Sequence, residues 1–332
     1  MTDRTATRGG AVWQQPAGGL PVRISRPGRT SAESWAAPDT RRRLQLALAA
    51  IWLLDAVLQF QAFMFSHSFP RMLAEAAHGN PAVIADPITW SARLIDHHVA
   101  AANASFASIQ LLLALGIAWR PATRIALAAS VAWALAVWWL GEGFGLVLTG
   151  TASPVTGAPG AVVIYAAVAV LLWPARQDRP APFVAGRAVG ARAARLAWLV
   201  LWGSLGYLAV QEAAQPPQAL GSAVTAMAPG EPGWLAWTDN RLGTLLGQHG
   251  LAACIVLAVA LLLIAACVYL PPPAARAGLL VAIAVAVTIG MAEAFGGILT
   301  GSGTDPNSGP LLVLLALAYW PAASRRPSAG GG

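Results

Sequence analysis

Eight apolar runs, separated by short stretches rich in arginine, proline and glycine, dominate this chain. Charged residues make up only 11% of its 332 residues and apolar residues 57%, against roughly a quarter charged in a soluble domain. So little charge cannot cover a water-facing surface, so most of the chain must meet lipid or other apolar helices. A soluble enzyme, a disordered chain and a disulfide-stapled secreted domain are excluded. All 21 basic residues are arginine and the net charge is +7. The arginines cluster at the ends of apolar runs, which is a membrane pattern and not a nucleic-acid one, and no nucleic-acid partner is expected.

The expected fold is all-α: a polytopic membrane helix bundle of about eight transmembrane helices, arranged as two parallel four-helix repeats. The segments are 44–64, 98–119, 122–141, 159–175, 195–213, 249–270, 275–294 and 308–321. A bilayer core needs roughly 20 helical residues, so the short fourth and eighth segments are expected to be part-depth helices covered by neighbours. Residues 1–43 form a basic tail without an apolar core, hence not a signal peptide. Residues 44–175 form the first repeat, 176–194 an arginine-rich linker, 195–323 the second repeat and 324–332 a second tail. With the N-terminus in the cytoplasm, eighteen arginines fall on the cytoplasmic side and three (Arg71, Arg93 and Arg241) outside. That bias places the protein in the cytoplasmic membrane with both termini inside.

The duplication is read from a constant offset. Glu142-Gly-Phe-Gly-Leu-Val-Leu-Thr-Gly150 and Glu293-Ala-Phe-Gly-Gly-Ile-Leu-Thr-Gly301 share six of nine residues at a spacing of 151. The same spacing relates His98 to His249, and 152 relates Gln59 to Gln211. Four spans per unit leave both copies pointing the same way, as in parallel repeats. An ionisable group inside a bilayer costs at least a few kcal/mol, so those present need a reason. Gln59, His98, Glu142 and Thr149 in the first unit, and Gln211, His249, Glu293 and Thr300 in the second, are expected at one depth near the outer boundary. One polar cluster per unit follows. Three roles stay open for it: a hydrogen-bonded network holding irregular backbone, a site for a ligand or proton, and a metal site.

Asp55 lies one helical turn before Gln59 on the same face and should point into the bundle. Asp305 has no acidic counterpart in the first unit, and turn chemistry before the last helix is the alternative to a site role. His97 and His98 diverge by about 100° on a helix and cannot chelate one ion together. His67 and His78 read as ordinary exposed residues. Trp90, Trp138, Trp139, Trp234 and Trp237 read as an interfacial belt. Cys254 and Cys267 lie too far apart in one run for a bridge and read as packing residues. The two long outer loops, 65–97 and 214–248, hold apolar stretches such as 69–77 that suggest short interfacial helices. No catalytic motif is recognised.

Each unit resembles the DoxX-like family of four-helix membrane proteins. The resemblance rests on a polar-interrupted first helix, a lumenal segment, and a second helix ending in a Gly–Arg turn before an alanine-leucine third. Here that stretch reads Leu111-Leu-Leu-Ala-Leu-Gly-Ile-Ala-Trp-Arg-Pro-Ala-Thr-Arg124. It covers most of 44–175 and, more weakly, 195–321; the whole chain also looks like multi-pass membrane proteins of high-GC actinobacteria. What the resemblance implies is an accessory subunit or factor in an envelope or respiratory redox process, with a membrane redox partner. The expected function is binding of a quinone-like or lipid ligand at the outer leaflet; a bound metal ion is the other candidate cofactor. A transporter of a small solute or metal ion and a ligand-free scaffold are the rivals.

Overall fold

The computed structural model describes residues 39–174, 181–216 and 218–321. The tail before residue 39, the linker residues Arg176 and Arg179, and the tail from residue 324 lie outside these. Among the described residues every regular element is helical.

Helix α1 is Thr40–Leu58. It begins four residues before the expected border at 44, because the Asp39 side chain accepts the Arg41 N–H at 3.1 Å and caps the first turn. Arg42 is also tied down, donating to the carbonyl of Ile117 at 2.8 Å. The end falls at Leu58 instead of 64, and a short 3₁₀ turn, Ala62–Phe65, follows. Next come α2 (Ser68–Glu75) and α3 (Ala82–His97), which occupy what the sequence presents as an outer loop. The remaining helices of the first half are α4 (Val99–Ala118), α5 (Thr123–Leu140) and α6 (Ala161–Leu171). A short α7 (Val184–Val189) leads into α8 (Ala191–Glu212), α9 (Ala219–Thr225), α10 (Gly233–Cys267), α11 (Pro272–Ala292) and α12 (Ser308–Ala318).

Helices α4, α5, α8, α10 and α11 are each long and apolar enough to cross a membrane. The chain is a multi-pass membrane protein. Apolar side chains such as Ile125 (76% exposed), Val256 (69%) and Leu112 (67%) project outward from these helices, as lipid-facing positions do.

The two short helices lie inside. Both α6 and α12 run for 11 residues, about 16 Å at 1.5 Å per residue, half the hydrocarbon thickness. They pack on each other, and α1 packs on both. Most of their apolar residues face protein: Ile164, Val168, Leu311 and Ala316 have no exposed area, and Val170 (41% exposed) and Leu317 (40%) mark the one outward side of each helix. Before each of them the chain runs through short 3₁₀ turns and irregular backbone, residues 143–160 and 294–307. The stretch Ala152, Ser153, Pro154 and Val155 is buried, whereas Leu148 (58% exposed) and Leu299 (46%) stand outside.

Candidate functional site

Three elements converge on the end of the bundle where α6 and α12 begin. α1 delivers Asp55 and Gln59. The break between α3 and α4 delivers His98, which sits at φ −138° and ψ 40° and interrupts two otherwise continuous helices. The end of α5 delivers Glu142. With residues from α2, α3, α4, α5 and α6 they line a cavity of about 710 Å³ that opens sideways past the exposed side chains of His98, Trp90 and Leu94. Asp55, Gln59, His98 and Glu142 all line it, together with Thr304 and Asp305 from the loop before α12.

Asp55 is 1% exposed. The Tyr165 hydroxyl of α6 donates to its Oδ2 at 2.6 Å, while Oδ1 is buried without a partner. Gln59 (3% exposed) and Gln110 (8%) likewise each hold a buried, unpartnered Oε1 on this cavity. The Gln59 backbone is fixed by Asn103, which donates to its carbonyl at 2.6 Å. Asp55 and Glu142 each lie within electrostatic reach of Asp305. Asp305 also does turn work, accepting the Asn307 N–H at 2.7 Å and the Thr304 hydroxyl at 2.9 Å.

Glu142 accepts the Val162 N–H at the start of α6, which complements the positive end of that helix. Its Oε2 is buried with no partner and stands where a side chain at Gly160 would be: a Cβ there would come within 2.0 Å of it. After Glu142 the chain makes a left-handed turn, with φ of 58° at Phe144, 62° at Gly145 and 55° at Leu146. Left-handed Phe and Leu are strained on their own. Phe144 is held in place by Trp138, edge-on at 4.9 Å, and Trp139, stacked at 6.2 Å. A Cβ at Gly145 would meet the Pro159 carbonyl at 2.2 Å, so only glycine fits there.

Thr149 closes this turn, donating to the Leu146 carbonyl at 2.7 Å. Thr300 makes the same bond to Gly297 at 2.7 Å, and Phe295 and Gly296 repeat the left-handed conformation. The other second-half residues do not gather round a cavity of this kind. Gln211 donates to the Tyr207 hydroxyl at 2.9 Å on the exterior. His249 is exposed at a kink within α10. Glu293 is 2% exposed and accepts both the Ser308 N–H, at 3.2 Å, and the Ser308 hydroxyl at the start of α12. Among the described residues no group of three or more potential ligands is placed to hold a metal. His67 pairs with Asp96 at 2.7 Å on the exterior.

The sequence gives no warning of the cavity wall. Trp52, Phe69, Trp90, Phe106, Trp133 and Tyr165 line it. Trp90, read as interfacial, stands at the cavity, and Trp52 is locked by a 3.0 Å bond to Ser130. Tyr165 carries the one polar group of the run 161–172, which is the signal that could have paired it with Asp55.

Away from the cavity, Glu231 faces Asp239, and burial followed by that neighbouring carboxyl raises Glu231 from 4.5 to about 7. The folded chain therefore holds this proton more tightly than the unfolded one. The contribution to stability is complete below pH 4.5 and is lost as pH rises through about 7. Unfolding midpoints measured across that window should fall with pH, and Glu231→Gln should flatten the slope; an unchanged slope refutes the assignment.

No family model, curated protein or solved structure matches this chain.

Proposed function

We propose that this protein is a membrane-embedded binding protein for an amphipathic, membrane-partitioned molecule of lipid-like or quinone-like build. One observation carries the reading: a cavity of about 710 Å³ with aromatic and aliphatic walls and a few unpartnered buried polar groups. That is the usual make-up of a small-molecule site, apolar over most of its area with a few polar groups that orient the ligand. The arginine distribution supports placing the cavity at the outer leaflet with both termini in the cytoplasm. An accessory redox role, with a redox partner, comes from the DoxX-like resemblance; the cavity supports only its ligand-binding half.

A tandem duplication also belongs to this proposal. Its support is that α2 and α9, the kinks at His98 and His249, and the left-handed turns after Glu142 and Glu293 all recur 151 residues apart. Under it the halves have diverged. The second-half matches of Phe69, Leu73, Ser91, Ile95, Phe106 and Gly141 are Leu220, Val224, Leu242, Leu246, Leu257 and Ala292, and these pack around Val155 from the first half's loop. One pocket is plugged, the other open. Transport across the whole bilayer is disfavoured by the layer below the cavity, where Leu48, Ile117 and Leu127 have no exposed area.

Native mass spectrometry of the full chain released from membranes tests the reading. A co-purified lipid or quinone is expected, and Ser105→Trp, which sets a large ring at the cavity's exposed mouth on α4, should remove it while leaving the unfolding midpoint near that of the parent. Retention of the same molecule by Ser105→Trp would place it elsewhere.

A further inference from the structure

The walls and the polar residues of the cavity together specify a charge. Asp55, Glu142 and Asp305 all line it, and the lining residues include no arginine; His98 is their one basic group. Carboxyls gathered on one cavity disfavour each other's ionisation, and a positive charge among them relieves that cost. The unpartnered buried atoms, Oδ1 of Asp55, Oε2 of Glu142 and Oε1 of Gln59 and Gln110, are all acceptors. A neutral quinone presents further acceptors and leaves the carboxylates unanswered. The aromatic residues complete the case, since ring faces attract cations. Phe69, Phe106 and Trp133 form a continuous run, with centroids 6.4 and 5.6 Å apart, and Trp52 meets Tyr165, the hydroxyl donor to Asp55, at 4.3 Å. In the proposed duplication the six aromatic positions correspond to Ser204, Leu220, Arg241, Leu257, Ala284 and Ala316. The four-helix unit therefore packs without these rings, and their presence in one half points to a ligand.

We propose that the cavity binds a lipophilic organic cation, its apolar body against the Trp and Phe walls and its positive charge among Asp55, Glu142 and Asp305. This rests on the ligand-binding reading above and narrows it to one class of molecule.

The test compares tetraphenylphosphonium with tetraphenylborate, ions of the same shape and opposite charge, together with a neutral short-chain quinone. Each is measured by equilibrium dialysis against the purified full chain, with Ser105→Trp setting the background from partition into detergent. Saturable tetraphenylphosphonium binding at least tenfold tighter than tetraphenylborate is expected. Asp55→Asn and Asp305→Asn should each weaken it by about tenfold, the order of one charge pair in a partly dehydrated site. Asp305→Asn sits in a loop and carries the test should Asp55→Asn fail to fold. Equal binding of both ions, or Ser105→Trp-sensitive binding of the quinone alone, overturns the cation and leaves the ligand site standing. Absence of any Ser105→Trp-sensitive binding overturns both.

Discussion

Replacing Gly160 by alanine is expected to cost about 3–5 kcal/mol of stability, the range of severe single substitutions. Gly160 adopts φ 112°, a conformation open essentially to glycine alone. The added Cβ would also lie 2.0 Å from Glu142 Oε2 and 3.0 Å from the Trp138 ring. Backbone strain and a steric clash therefore act together, and the only relief is to drive Glu142 off the start of α6. Trp138 cannot yield freely, because its indole N–H donates to the Pro159 carbonyl at 2.6 Å. The cavity should suffer with the fold, since Glu142 lines it. Gly203, in the middle of α8, is the control: a Cβ there meets nothing within 4 Å. Gly203→Ala should be neutral or stabilising by up to about 1 kcal/mol, the helix preference for alanine. Thermal unfolding in mild detergent separates the two. A Gly160→Ala protein as stable as Gly203→Ala would mean that Glu142 is not seated over Gly160.

Glu293→Ala should be nearly as damaging, at about 3–5 kcal/mol. The carboxylate of Glu293 receives the Ser308 hydroxyl and the amides of Ser308 and Gly309. These are among the first N–H groups of α12, which have no partner within their own helix. Truncation leaves the Gly309 amide and the Ser308 hydroxyl without this acceptor at a buried site, where Glu293 and Ser308 are each 2% exposed, while the Ser308 N–H keeps the Asn307 side-chain oxygen at 2.9 Å. Glu293→Gln keeps an acceptor in place and should lose less than half as much. Equal, small losses in both variants would show that the cap is dispensable. Comparison with Glu142→Gln then separates the two glutamates. In the first half the conservative change should weaken tetraphenylphosphonium binding; in the second it should touch stability alone.

The membrane class, the all-helical architecture and the shortness of the fourth and eighth segments are legible in the sequence, because each follows from apolar run length. Asp55 also reads correctly as inward-facing, since an acid in the middle of an apolar run has few other places to go. Helix α3 is not legible. Its sixth residue is Pro87, preceded by Asp86, and this pair reads as a break although the structure carries the helix through it. The ring wall is hidden for a different reason. Trp52, Phe106 and Trp133 lie on three separate helices, and no local spacing reveals that they share a surface. The Val155 plug is hidden further still, since its partners Leu220, Val224 and Cys254 come from the other half of the chain.

The crossing of the two irregular loops has a consequence for biosynthesis. Val155 completes packing that is made mostly by the C-terminal half, and Asp305 completes a cavity made mostly by the N-terminal half. The nascent chain therefore cannot finish either half until nearly all of it has been translated. Two fragments severed at the 175–180 linker should restore the cavity only when both are made in the same cell.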